Sequence, residues 1–182
     1  WIETRLLATG NRTNPWFQGC SDKVTVSGEM LGVDTDMIGP YGYCADVSRS
    51  WTVGHVPMSA RQADLYRYAR EQIDHNTALL RPGLDFRDFV DRSWRTPERF
   101  QARRYSCALH GVGLCDEYPS VPLREDLVTD FYGGMFEENM VIAVESLIGE
   151  EGGQECVKLE TQVTVTANGA VRMDSFPWED ER

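Results

Sequence analysis

Five carboxylates of this chain sit inside apolar runs: Asp34 and Asp36 in GVDTDMI, Asp46 in YCADVSR, Glu145 in IAVESLI and Glu160 in VKLETQV. A carboxylate on the buried face of a strand is costly unless a cation or a hydrogen-bond donor neutralises it. Asp34 and Asp36 are expected on one face of a strand, because side chains alternate with period two. Arg49 or Lys158 could pair with one or two of these acids, not with all five. A pair of metal ions resolves the excess. Hard oxygen ligands with one imidazole suit iron, manganese, cobalt or zinc, and two ions can share bridging carboxylates. The imidazole is His110 in HGVGLCDEYPSV, ahead of a glycine-rich turn and followed by Asp116 and Glu117. His55, after a glycine at a strand end, and His75, among polar residues of a helix, read as ordinary histidines. Cys107 and Cys115 flank His110 without the ligand spacing usual for a sulfur-bound zinc.

These groups must be positioned by their elements. KVTVSGEMLGVDTDMIG reads as two short strands around a Ser-Gly-Glu turn, and YGYCADVSRSWTVG as another, making a meander over 23–54. Ser59 and Gln62 form a capping box that starts a helix. Leu65, Ala69, Ile73 and Leu80 fall near one face of it, and RPG at 81–83 stops it. DFRDFVDRSWR is a second, shorter helix. PSVPLREDLVTDFYGG reads as a loop, NMVIAVESLI as a buried strand, and CVKLETQVTVTANGAVRM as a hairpin turning at Asn168-Gly169. Strands, two helices, then strands indicate an α+β fold with helices packed on a mostly antiparallel sheet.

The 182 residues suffice for one domain with a real core. A formal charge of −11 argues against a nucleic-acid partner, which needs a cationic face. No apolar run approaches about 18 residues, so no membrane span is expected, and no secretory signal is visible. Five scattered cysteines, an odd number with no CxxC pair, favour a reducing cytoplasm over a disulfide framework. WIETRLLATG reads as if cut from the middle of a strand, so an upstream portion is expected.

The order of these residues resembles the pita-bread metallopeptidase superfamily of methionine aminopeptidase, prolidase, aminopeptidase P and creatinase. Asp36 and Asp46 lie where that family carries two hairpin aspartates, with GYCADVSRSW similar to its GYxSDxxRTW. His110 in HGVGL, Glu145 in NMVIAVES and Glu160 in VKLETQVTVT follow in the family's order. The resemblance implies a pita-bread fold, with residues 1–182 forming part of a metal-binding catalytic domain that begins upstream of Trp1. It also implies a homodimer. Two polarising histidines of the peptidases are replaced: Trp16 or Phe17 stands at the first position, and Asp116 at the second, in a turn one residue shorter.

These departures resemble one branch, the DddP-type dimethylsulfoniopropionate lyases, through WIETRLLATGNRTNPWFQ, DTDMIGPYGYCADVSRSW and HGVGLCDEYP. By that resemblance the ligands of two divalent ions, iron favoured over manganese, cobalt or zinc, fall on Asp34, Asp36, Asp46, His110, Glu145 and Glu160. The proton-abstracting base falls on Asp116, with Glu117 in reserve. A sulfonium substrate has no N–H donors and is best held over aromatic faces, for which Trp16 and Tyr105 are the candidates, with Phe17 behind them. Two other readings stay open: a dipeptidase or Xaa-Pro aminopeptidase of the same fold, against which the lost histidines weigh, and a catalytically inactive binding module, against which the filled ligand positions weigh.

Overall fold

The computed structural model describes residues 6–18 and 20–179. In chain order its strands and α-helices are β1 (Leu6–Thr9), β2 (Met30–Asp34), β3 (Met37–Ile38), β4 (Cys44–Ala45), β5 (Arg49–Thr52), α1 (Ala60–Leu79), α2 (Phe86–Arg92), β6 (Cys107–Gly111), β7 (Ser120–Pro122), β8 (Val141–Gly149), β9 (Cys156–Thr166) and β10 (Gly169–Arg172). Every ladder among the described residues is antiparallel. Five strands form one sheet in the order β10-β9-β8-β6-β7, three form a second as β1-β2-β5, and β3-β4 make a small ribbon. The expected α+β class with helices on an antiparallel sheet is what the chain adopts.

Helix α1 starts where the capping box predicts. Gln62 N donates to Ser59 Oγ at 3.3 Å, and Ser59 N donates to Gln62 Oε1 at 2.8 Å. Its buried Leu65, Ala69 and Ile73, with Leu80 just past its end, join Ile142, Val144, Val157 and Leu159 in the main apolar cluster. Alternation along β8 and β9 then sends Glu145, Lys158 and Glu160 to the opposite face, toward the smaller sheet. There the two sheets are stitched by polar bonds. Glu160 N donates to Ser48 O at 3.0 Å, Ser50 Oγ to Lys158 O at 2.8 Å, and the buried Arg49 guanidinium to Glu160 O. Helix α2 is N-capped by Asp85, whose Oδ1 accepts from Arg87 N at 2.7 Å.

Three sequence expectations differ in detail. No strand forms at 23–26, where Val24 and Val26 are exposed and Lys23 Nζ donates to Glu29 Oε2 at 2.6 Å. The partner of β2 is instead β1, from much earlier in the chain. The stretch read as one strand from Tyr41 on is broken into β4 and β5, with Asp46 in the gap. The stretch read as a loop after Tyr118 contains β7, an edge strand on β6, whose Ser120 N donates to Tyr132 Oη at 2.6 Å.

Candidate metal centre

Strand register builds the centre. Glu145 and Glu160 are direct cross-strand partners on β8 and β9. His110 on β6 pairs with Ala143 of β8, which sets its ring diagonal to Glu145 on the same face. From the smaller sheet, Asp34 ends β2, Asp36 lies two residues beyond, and Asp46 follows β4. His110 Nε2 lies 3.2 Å from Glu160 Oε1, 3.6 Å from Asp46 Oδ2 and 3.7 Å from Glu145 Oε1. One ligand atom each from Asp46, His110 and Glu160 falls within 4.8 Å of the others, and the same holds for Asp34, Asp36 and Asp46. Asp46 belongs to both groups. All six predicted ligand positions therefore converge, and all except Asp36 are buried.

The turn after His110 depends on its glycine. A Cβ at Gly111 would come within 2.2 Å of Tyr118 O, and Gly111 N donates to Pro119 O at 2.8 Å. Only a residue without a side chain lets β6 press against the 118–119 segment and hold the imidazole where it is. The ring is further fixed by Nδ1, which donates to Gly111 O at 3.1 Å. A carbonyl can only accept, so Nδ1 carries a hydrogen; in the charged ring Nε2 donates to Glu160 Oε1 at 3.2 Å, and loss of that proton frees the Nε2 lone pair for a cation.

The electrostatics are those of a site with more anions than the chain can balance. Burial drives Asp46 up to about 11, Glu145 up to about 7 and Asp34 up to about 6. Burial works the same way on Glu160, but Lys158, the His110 hydrogen bond and Ser48 outweigh it and hold this carboxyl below its usual range. Burial opposes a charged His110, yet the hydrogen bond to Glu160 and the charges of Glu145 and Glu160 lift it to about 10. Lys158 sits at the centre of the cage, which sequence reading anticipated only as a partner for one or two acids. Ser48 was missed: its Oγ is 2.5 Å from Asp34 Oδ1 and 2.8 Å from Glu160 Oε2, and nothing in its sequence context marks it.

Asp116 lies on the other side of the imidazole, with Oδ1 3.9 Å from Nδ1, and burial raises its pKa. The cage encloses only about 20 Å³, bounded by its acids, His110 and Lys158 together with Leu6, Phe17, Tyr105 and Glu117. Such a space suits small ions or water, and leaves an organic substrate only the mouth of the cage. A vestibule of about 620 Å³ adjoins it, lined by Asp36, Ile38, Gly42, Cys44, Leu114, Cys115, Asp116 and Glu117, so Asp36 and Glu117 border both spaces. Phe17 and Tyr105 stand as a tilted pair with ring centroids 5.5 Å apart. Trp16 was expected to face the substrate with Phe17 behind it; the structure reverses the two. Trp16 is buried against Gly32 in a cluster with Ala8, Leu147 and Cys156, while Phe17 lines the cage. Packing takes the larger ring, and Phe17, where φ is +68°, stays exposed. A groove of about 590 Å³ along Leu31, Trp51 and 53–58 contains none of the clustered acids.

The residues fit a divalent pair. Among the described residues the buried Asp46 Oδ1 and Glu145 Oε1 have no hydrogen-bond partner, so ionising these groups is costly unless a cation is bound. Five carboxylates carry five negative charges; Lys158 supplies one positive charge and two divalent ions supply four. The donor set, oxygen-rich with one imidazole, suits first-row transition metals.

Comparison with known proteins agrees with this geometry. The model of metallopeptidase family M24 matches residues 3–167. The chain is 44% identical over 179 residues to the dimethylsulfoniopropionate lyase DddP of Roseovarius nubinhibens and 40% identical over 179 residues to that of Roseobacter denitrificans. Each alignment covers 98% of this chain and 40% of the relative, so the chain spans less than half the length of these curated relatives. Among solved structures, the dipeptidase PepE from Mycobacterium ulcerans superposes with a TM-score of 0.77 at 22% identity, over 98% of this chain and 46% of that one. The fold is the expected pita-bread fold.

Proposed function

This chain belongs to metallopeptidase family M24, and we propose that it is the metal-holding part of a carbon–sulfur lyase that cleaves dimethylsulfoniopropionate to dimethyl sulfide and acrylate. The observation that carries this reading is Asp116: a partly buried carboxylate beside His110, on the wall of the vestibule, where the peptidases it resembles keep an imidazole. The 44% identity to a lyase of that name supports it.

In this reading Asp34, Asp36, Asp46, His110, Glu145 and Glu160 hold two divalent ions. When bound, these would supply Lewis-acid stabilisation of the negative charge that develops on the substrate carboxylate. Asp116 removes the proton from the carbon next to that carboxylate. The C–H electron pair becomes the new double bond, the C–S bond breaks with its pair going to sulfur, and the proton stays on Asp116 until solvent takes it. Burial raises the proton affinity of Asp116, which favours it as a base. The sulfonium is held at the mouth of the cage, where the exposed Phe17 and its neighbour Tyr105 offer π faces that attract a cation without N–H donors, and Trp16 backs this wall. Asp36, Asp116 and Glu117 give the vestibule a negative lining that attracts the cationic end of the substrate.

Iron is the proposed resident metal, with manganese, cobalt and zinc compatible with the same donors. Five scattered cysteines with no CxxC pair support a reducing, cytoplasmic setting, and the family resemblance supports a homodimer. No helix among the described residues is long and apolar enough to cross a membrane. The test is to give metal-loaded protein dimethylsulfoniopropionate and a proline dipeptide side by side. Release of dimethyl sulfide with the dipeptide intact is expected; cleavage of the dipeptide alone would replace the lyase reading by the peptidase one.

A further inference from the structure

Lys158 is fully enclosed by the cage, and each of its three N–H donors has a partner. Nζ lies 2.9 Å from Glu145 Oε2, 3.1 Å from Glu160 Oε2 and 3.0 Å from Ser48 Oγ. Ser48 Oγ, having accepted from the ammonium, has one hydrogen to donate, and its shorter contact is Asp34 Oδ1 at 2.5 Å. Lys158 thus reaches three predicted ligands, from β8, β9 and β2: two by hydrogen bonds, and Asp34 through a hydroxyl and a longer ion pair of 3.9 Å from Nζ to Oδ2. The contacts are selective by atom. Lys158 engages Oε2 of each glutamate, which leaves Glu145 Oε1 without a hydrogen bond among the described residues and Glu160 Oε1 turned to His110 Nε2.

We propose that Lys158 is a positioning residue that sets the orientation of Glu145 and Glu160 and, through Ser48, of Asp34, so that one oxygen of each glutamate is committed to the ammonium and the other to a bound metal. The inference rests on the metal-holding reading above. It goes beyond charge balance, and the two roles differ in sign. If Lys158 acted only as a charge, removing it would make the cage more negative and tighten cation binding. If it holds the ligands in place, removing it loosens them, and loss of a partner that orients metal ligands costs about 10- to 100-fold in metal affinity.

The experiment is titration of the metal-stripped full chain with Co²⁺, followed by calorimetry and by the visible d–d spectrum, for wild type, Lys158→Met and Ser48→Ala, with circular dichroism to verify folding. Lys158→Met is expected to bind Co²⁺ about 10- to 100-fold more weakly, with an altered spectrum. Ser48→Ala removes the hydroxyl that links Lys158 to Asp34 and also touches Glu160 Oε2, but keeps both direct Lys158–glutamate bonds, so it should show a smaller loss and a smaller spectral change. Unchanged or tighter binding by folded Lys158→Met overturns the proposal. Should that variant fail to fold, Ser48→Ala decides: an affinity and a spectrum identical to wild type overturn it. A wild-type chain that binds no Co²⁺ instead removes the metal-holding reading, and this inference with it.

Discussion

Asp116 and Glu160 address opposite nitrogens of one imidazole: Asp116 Oδ1 lies 3.9 Å from His110 Nδ1, and Glu160 Oε1 lies 3.2 Å from Nε2. His110 therefore separates the proposed base from the metal cage, and a change at the ring acts on the cage through Nε2. Replacing His110 by alanine is expected to remove metal as well as activity. Elemental analysis of purified His110→Ala should read well below the wild-type metal content; an unchanged content would exclude His110 as a ligand.

The raised acids make the metal-free chain sensitive to alkali. Asp34 at about 6, Glu145 at about 7 and Asp46 at about 11 all lie above their unfolded values, so the folded state holds protons that the unfolded state has already lost. Where the native state binds more protons, stability falls as pH rises. His110, lifted to about 10, acts in the same sense above its ordinary value of 6.5. In a chelator, the melting temperature should therefore fall steadily from about pH 5 to pH 8, and added divalent metal should remove most of that fall by replacing the protons. A flat profile in chelator would contradict the carboxyl assignments.

Gly111→Ala puts a methyl group within 2.2 Å of Tyr118 O, a backbone atom that cannot rotate away. Overpacking of this kind costs about 1–3 kcal/mol. Urea unfolding should report a loss in that range, accompanied by weaker metal binding because the strand that carries His110 is displaced.

Tyr105 is the aromatic neighbour of both the cage and Phe17, with Lys158 Nζ 5.6 Å from its ring centroid. A cation held over such a ring gains about 0.5–2 kcal/mol. Tyr105→Ala should therefore raise KM for dimethylsulfoniopropionate by roughly 2- to 30-fold with metal content unchanged. An unaltered KM would move the sulfonium elsewhere.

Much of this architecture was legible in the residues because the signals were local and periodic. The Ser59–Gln62 capping box, the apolar face of α1 and the acids embedded in β8 and β9 each follow from spacing alone. The resemblance marks six positions that the fold brings together. Other features depend on long-range pairing that spacing does not encode. The β1–β2 ladder joins distant stretches, so the local 23–26 segment looked like the better partner for β2. β7 is only three residues long and flanked by proline. Trp16 and Phe17 are adjacent, and Trp16 takes the space above Gly32 in the buried cluster, which has no sequence signature. The central place of Lys158 emerges only once β9 is laid against β8.

The most direct test is the release of dimethyl sulfide into the head space above metal-loaded wild type and Asp116→Ala, with metal content measured on the same samples. Removal of a general base should lower elimination by about 10²- to 10⁴-fold while metal content stays near the wild-type value. Full activity in Asp116→Ala, or no dimethyl sulfide from a wild type carrying its metal, would contradict the account.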